Sequence, residues 1–245
     1  MNLYKDGFYE NRHQITLYAA ETILSHVQTL LPNFNSAIDL GCGVGTWLYV
    51  MKQKGATKVC GVDGSWVNKN YLQVSENEFI EHDLSKDINI KIPSTFDLAI
   101  SLEVAEHLPE NSAHAFVNLL TNLSDFVLFS AAIPYQGGLG HVNEQWPNYW
   151  ISIFENYGYI GLDIIRKNVW DDQNIPLHYR QNTLLYVKKE RIKDLNLKKQ
   201  INDHIPPEAY LIYLNKLINP GIKQSCINLI SAIKRRTQET FYKNE

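Results

Sequence analysis

Apolar positions in this chain fall into two alternating patterns. Short, nearly continuous apolar runs occur at residues 37–40, 59–62, 79–81, 98–102 and 126–130. Runs of this kind predict strands covered on both faces, as in a parallel sheet flanked by helices. Between them the spacing lengthens to three and four. Tyr18, Ile23, Leu24, Val27, Leu30 and Leu31 mark a leading helix with Pro32 beyond its end. Residues 47–51 supply a first crossover helix, and 113–123 a later one with Ser112 near its start. Two further runs, 159–165 and 182–187, read as strands six and seven. Strands alternating with helices predict an α/β fold. There is no internal repeat and no low-complexity tract.

From Lys188 onward the pattern changes. Pro206-Pro207 and Pro220-Gly221 punctuate the segment. Tyr210, Leu211, Tyr213, Leu214, Leu217 and Ile218 form one helical stripe, and Ile222, Ile227, Leu229, Ile230 and Ile233 a second. Such stripes need a partner, either the body or a second subunit, so a homodimer through these helices is one expected outcome. The chain thus divides into an N-terminal helical cap (1–33), a central domain (34–187) and a helical C-terminal extension (188–245).

The first strand runs into Gly41-Cys42-Gly43-Val44-Gly45-Thr46, and the pattern turns helical after Thr46. Glycines without a Cβ let a backbone turn sharply and approach a ligand closely. The spacing is Gly-x-Gly-x-Gly rather than the Gly-x-Gly-x-x-Gly of a dinucleotide fold, with Thr46 where the third glycine of that pattern would fall. Asp39 lies inside the motif. Roughly 20 residues on, the second strand ends in Asp63, the distance at which an acid reaches ribose hydroxyls in nucleotide-binding α/β folds. The third strand leads to Asp83, and the fourth ends in Glu103-Val104-Ala105-Glu106-His107-Leu108.

These four motifs, in this order and at consistent spacing, closely resemble class I S-adenosylmethionine-dependent methyltransferases over about residues 34–187. The resemblance implies a Rossmann-like seven-stranded, mostly parallel sheet with helices on both faces and an antiparallel closing pair. It implies S-adenosyl-L-methionine as cofactor. Gly41 and Gly43 would approach its amino-acid part, with Asp39 near the amino group. Asp63, followed by Gly64, would accept both ribose hydroxyls. Asp83 would accept from the adenine amine with the Leu84 backbone adjacent, and Glu103 would lie near the sulfonium. Leading segments such as the one holding Tyr4, Phe8, Tyr9 and Arg12 often cap the cofactor pocket in this family; covering a sheet edge is the alternative.

Composition narrows the setting. The net charge is −3, which gives no broad nucleic-acid footprint, and no Asn-Pro-Pro-Tyr run is present. The basic stretch after Lys188 reads as a solvated helix face or as a surface for a partner. Cys42, Cys60 and Cys226 have no metal or redox spacing, which fits a reducing compartment. No apolar run reaches the ~20 residues of a membrane span, and no signal-peptide layout opens the chain. A cytoplasmic protein is the expectation.

The stretch from Gly137 to Trp150 gathers glycines, His141, Asn143, Glu144, Trp146, Tyr149 and Trp150 in one loop-to-helix transition. Binding and catalytic residues concentrate on such loops, and Trp and Tyr suit stacking on a sugar ring or nucleobase. Similar segments with a His-Val-Asn-Glu core occur in methyltransferases of bacterial surface-polysaccharide synthesis. That likeness implies O-methylation of a sugar hydroxyl on a nucleotide-linked sugar, with His141 as general base supported by Glu144 and His107. A structural His107, a His141 that is an ordinary loop histidine capping a helix, a helix-capping Asn143 and aromatics that simply pack on the sheet edge are the alternatives. Glu106, His107, His141 and Glu144 could meet in space, but no His-x-x-x-His spacing is present, so no metal site is assigned from sequence. Another small acceptor, a quinone precursor or an amine, or a non-catalytic cofactor-binding partner protein, stays open.

Overall fold

The computed structural model describes residues 11–31 and 34–195, together with 221, 225, 226 and 229. The chain divides into two units, 1–204 and 205–245; the elements below belong to the first. The expected helices at 210–218 and most of 222–233, the dimer they would form, and Tyr4, Phe8 and Tyr9 fall outside the described residues. Of the second unit, Ser225, Cys226 and Leu229 are helical.

One sheet of seven strands organises the first unit: β1 (Ser36–Leu40), β2 (Lys58–Asp63), β3 (Phe79–Glu81), β4 (Leu98–Leu102), β5 (Phe126–Ser130), β6 (Tyr159–Leu162) and β7 (Leu184–Lys188). Their order is β3-β2-β1-β4-β5-β7-β6. Among the described strands β7 alone runs against its neighbours, β5 and β6. The helices are α1 (Arg12–Leu30), α2 (Thr46–Gln53), α3 (Ala113–Leu123), α4 (Pro147–Asn156), α5 (Arg166–Val169), α6 (Leu177–Asn182) and α7 (Ile192–Leu195).

Side chains leave a strand on alternating faces, and the core divides accordingly. Leu98, Ile100, Leu102, Leu128, Leu185 and Val187 pack with Ile23, Leu24 and Val27 of α1 and Leu48 and Met51 of α2. Ala99, Val127, Phe129, Leu184 and Tyr186 pack on the other side with Phe116 and Leu120 of α3 and Trp150 and Phe154 of α4. Every residue of β4 and β5 is buried, as strands covered on both faces must be. Burial of each large apolar side chain is worth about 1.5–3 kcal/mol. The Phe154 and Tyr186 rings stack at 3.9 Å.

Three boundaries differ from the sequence reading. β6 stops at Leu162 rather than 165, because Asp163 turns to ion-pair with the buried Arg166. β7 begins at Leu184; residue 182 instead ends α6. The leading helix starts at Arg12, ahead of its apolar stripe. No helix among the described residues is long and apolar enough to cross a membrane.

The chain leaves β1 for β2 and β3 on one side, then returns to place β4 on the other. Diverging loops at such a switch point open a crevice beyond the strand ends. Register puts Leu40 opposite Val62, so the glycine loop and Asp63 emerge side by side.

Candidate active site

Where β1 ends, Gly41 and Gly43 adopt φ values of +85° and +53°, a region that side chains with a Cβ rarely occupy. Each has its own reason. A Cβ on Gly41 would lie 2.3 Å from a Val104 methyl, so the β4 loop can pack against β1 only because this residue has none. A Cβ on Gly43 would meet nothing within 4 Å; its open side is the crevice. The Gly43 N–H donates to Asp63 Oδ2 at 2.7 Å, and the Gly64 N–H to Oδ1 at 2.7 Å. Burial raises the Asp63 pKa, against the stabilising pull of those two amides and of Trp66.

A cavity of about 550 Å³ opens here, lined among others by Asp39, Gly41, Gly43, Asp63, Gly64, Leu84, Glu103, His107 and His141. Asp39 is 2% exposed, and its Oδ2 has no hydrogen-bond partner. Burial, and then the nearby Asp63 charge, push its pKa well up. A buried carboxylate in this condition is poised for a cationic partner. Asp83 is placed differently from its neighbours. His82, Leu84 and Ser85 line the cavity, whereas the Asp83 carboxylate accepts from Ser85 Oγ at 2.6 Å and ion-pairs with Lys86 at 2.8 Å. These partners, outweighing partial burial, hold its pKa down.

The opposite wall is built by the loops after β4 and β5. The N–H groups of Val142 and Asn143 donate to the Glu106 carbonyl at 2.8 and 3.0 Å, which pins the second loop on the first. His141 Nδ1 lies 2.9 Å from Glu144 Oε1, and the Glu144 carboxylate also accepts from the N–H groups of Tyr135 and Gly137 at 2.8 and 2.7 Å. In the neutral imidazole the acceptor at Nδ1 assigns that nitrogen the proton and leaves Nε2 as the lone pair. His107 meets His141 edge-on at 4.9 Å between ring centres, with its own Nδ1 3.3 Å from the Gly140 carbonyl. Burial, with His141 beside it, lowers the His107 pKa. Glu106 is 0% exposed; no side chain donates to its carboxylate, the Glu106 and Ala132 backbone amides pull weakly on it, and Oε1 stands 4.0 Å from His141 Nε2. Burial foremost, and then the Glu103 charge, raise its pKa well above the usual range.

Glu103 joins the two walls. It holds a left-handed φ of +58° without being glycine, a conformation kept only when its surroundings fix it. They do: Gln136 Nε2 donates to Oε2 at 2.8 Å and Asn182 Nδ2 to Oε1 at 3.0 Å. Asn182 also donates to Gln136 Oε1 at 2.9 Å, so the β4 tip, the loop after β5 and α6 share one polar network.

The aromatics of the 137–150 stretch separate. Trp150 is 2% exposed and packs 5.2 Å from Phe129, so it belongs to the core and is not free to stack on a ligand. Trp146, 41% exposed, stays at the surface. Asn143 is not the cap of α4, since Trp146 occupies that position with Pro147 in the first turn. Its Oδ1 instead accepts from Gln145 Nε2 at 3.0 Å.

The family model described as a methyltransferase domain matches residues 11–159. The chain belongs to this methyltransferase family. A search of curated proteins finds no match. Among solved structures, the methyltransferase is similar to magnesium protoporphyrin IX methyltransferase from Synechocystis PCC 6803 with bound SAM (TM-score 0.51, 20% identity, 76% of this chain and 88% of that one). It is also similar to an O-methyltransferase family protein from Burkholderia thailandensis (TM-score 0.53, 11% identity, 75% and 59%). A third likeness is to human N-acetylserotonin methyltransferase in complex with SAM (TM-score 0.51, 15% identity, 74% and 55%). At these identities the likeness is one of fold.

Several residues of the methyltransferase cavity escaped the sequence reading. Thr16 of α1 and His178 and Tyr179 of α6 line it, as does Arg12. Gln136 and Asn182 were invisible because a lone amide in a loop or helix end carries no pattern. Gly138 did carry a signal: a Cβ there would lie 2.1 Å from His141 Nε2, so the glycine makes room for that ring.

Proposed function

We propose that this methyltransferase transfers the methyl group of S-adenosyl-L-methionine to a hydroxyl of a small acceptor, a nucleotide-linked sugar being the favoured class. One observation carries the reading: a single cavity joins the glycine loop and Asp63 to the paired imidazoles of His107 and His141. The unpartnered Oδ2 of Asp39 suits the ammonium of the donor, and the open side of Gly43 with the Asp63 carboxylate suits its ribose. Leu84 and Gly64 border the nucleoside region, and Glu103 stands between donor and acceptor.

The donor, when bound, supplies a methyl group already activated on a positive sulfur. The remaining task is to hold the acceptor oxygen in line and remove its proton. Positioning of that kind is worth on the order of 7–11 kcal/mol. Glu144 fixes the Nδ1 proton of His141 and balances the charge that ring acquires, so Nε2 is the nitrogen offered to the hydroxyl. His107, its pKa lowered by burial, stays neutral beside it. A hydroxyl acceptor needs this arrangement, whereas an amine needs only to arrive unprotonated. The exposed rings of Tyr135 and Trp146 flank the loop and suit the apolar face of a sugar.

The test is His141→Ala, assayed with labelled cofactor on a panel of nucleotide-sugars and quinone precursors. Loss of a positioned base costs about 10²–10⁴ in turnover, while affinity for S-adenosylhomocysteine stays unchanged. Undiminished turnover removes His141 from the chemistry, and methylation of a quinone precursor alone replaces the sugar.

A further inference from the structure

The histidine wall holds more lone pairs than one proton transfer uses. One ligand atom each from Glu106, His107 and His141 lie within 4.8 Å of one another. In each imidazole Nδ1 faces an acceptor, Glu144 Oε1 for His141 and the Gly140 carbonyl for His107, which turns Nε2 outward as a lone pair. This is the outer-shell arrangement that orients metal-bound histidines. The third member is a fully buried carboxylate that no side chain donates to, with only the Glu106 and Ala132 backbone amides beside it, and Glu106 lines the same cavity. Three groups that can each offer a lone pair converge here. A positive ion among them offsets the desolvation penalty of the buried carboxylate.

We propose that Glu106, His107 and His141 bind a divalent transition-metal ion, with Glu144 and the Gly140 carbonyl as the groups that orient its ligands. Two imidazoles and one carboxylate select zinc, manganese or cobalt over magnesium or calcium, which prefer all-oxygen sites. Three protein ligands leave a coordination position open to the cavity. Ligand bonds of about 2.1 Å place tetrahedral ligands about 3.4 Å apart, so the 4.0 Å between His141 Nε2 and Glu106 Oε1 closes by a small movement of side chains.

The inference rests on the O-methylation reading for its chemistry but not for its test. A cation lowers the pKa of water from 15.7 to about 7 in zinc enzymes. An acceptor hydroxyl placed against the ion loses its proton to solvent in the same way, and His141 then acts as a ligand rather than as the base. Loss of turnover in His141→Ala fits both roles, so binding of the metal itself decides between them.

The 245-residue chain, freed of metal by chelator and dialysis, is titrated with CoCl2, and the visible absorption of the cobalt is followed without acceptor. The expected result is one equivalent bound at a site of low coordination number, displaced by ZnCl2. Glu106→Gln and His107→Ala each weaken binding by at least about 100-fold, and Glu144→Gln by about 10- to 100-fold. Binding of S-adenosylhomocysteine by each variant establishes that it is folded. Absence of cobalt binding by the wild-type chain, or binding that survives Glu106→Gln and His107→Ala unchanged, overturns the site. Such a result leaves the methyl-transfer reading standing, since that falls only with the turnover assay.

Discussion

The two walls of the cavity are held in different ways. On the glycine wall, Asp63 reaches Gly43 and Gly64 through backbone N–H groups, and the backbone positions are fixed by parallel pairing of adjacent strands. On the histidine wall, His141 depends on Glu144, and Glu103 depends on Gln136 and Asn182. Those are contacts between side chains carried by three separate loops or helix ends. A wall of backbone and sheet tolerates change in its neighbours. A wall of mutually dependent side chains can be retuned by single substitutions, as loop-borne sites on a rigid scaffold commonly are.

The difference can be broken from either side. Asp63→Ala has the largest expected effect on the glycine wall. On the proposed function it would remove two charge-assisted bonds to the donor ribose, each worth about 1.5–3 kcal/mol. Affinity for S-adenosylhomocysteine falls by roughly 100-fold or more, measured by calorimetric titration. An unchanged affinity would mean that this carboxylate does not meet the ligand.

Gly138→Ala probes the histidine wall with one methyl group. The added Cβ, 2.1 Å from His141 Nε2 in the present arrangement, forces the ring to move. Displacement by 1 Å costs up to about 100-fold in rate, and roughly 10-fold in turnover is expected here with donor affinity intact. If donor affinity drops in step with turnover, the walls are not independent.

The smallest effect is a pH dependence at Asp39, whose pKa is raised by burial and by Asp63. A carboxyl with a raised folded-state pKa holds its proton more tightly folded than unfolded. Its contribution to stability is full below the unfolded pKa and is lost as pH rises through the folded one. Asp39→Asn flattens that loss. In urea denaturation it gains stability at neutral pH and nothing in acid, while affinity for S-adenosylhomocysteine weakens. A variant with the wild-type pH profile would place the titration elsewhere.

The same contrast explains what could be read from the sequence. The sheet was legible because apolar runs at 37–40, 98–102 and 126–130 are nearly unbroken, and strands buried on both faces produce that pattern. Gly41, Gly43 and Asp63 were legible because a tight turn and a strand-end acid sit at fixed spacing. Asp83 matched the motif, and its carboxylate is held by Ser85 and Lys86 on its own loop, while its neighbours His82 and Leu84 line the cavity. Asn182 was assigned to a strand when it ends α6, because the apolar run that follows hides the boundary. Trp150 looked like a ligand platform and is core, as an aromatic gives no sign of which side of a helix faces the sheet.

The direction of β7 has a consequence for how this enzyme can change. A strand that runs against the others begins where they finish, so the chain must return across the cavity rim before entering it. The segment 163–183 makes that return and delivers His178, Tyr179 and Asn182 to the rim. It is bounded by β6 and β7 and carries none of the glycine-loop residues. Exchange of this one stretch therefore reshapes the rim without replacing the glycine loop, provided Asn182 is kept to hold Glu103.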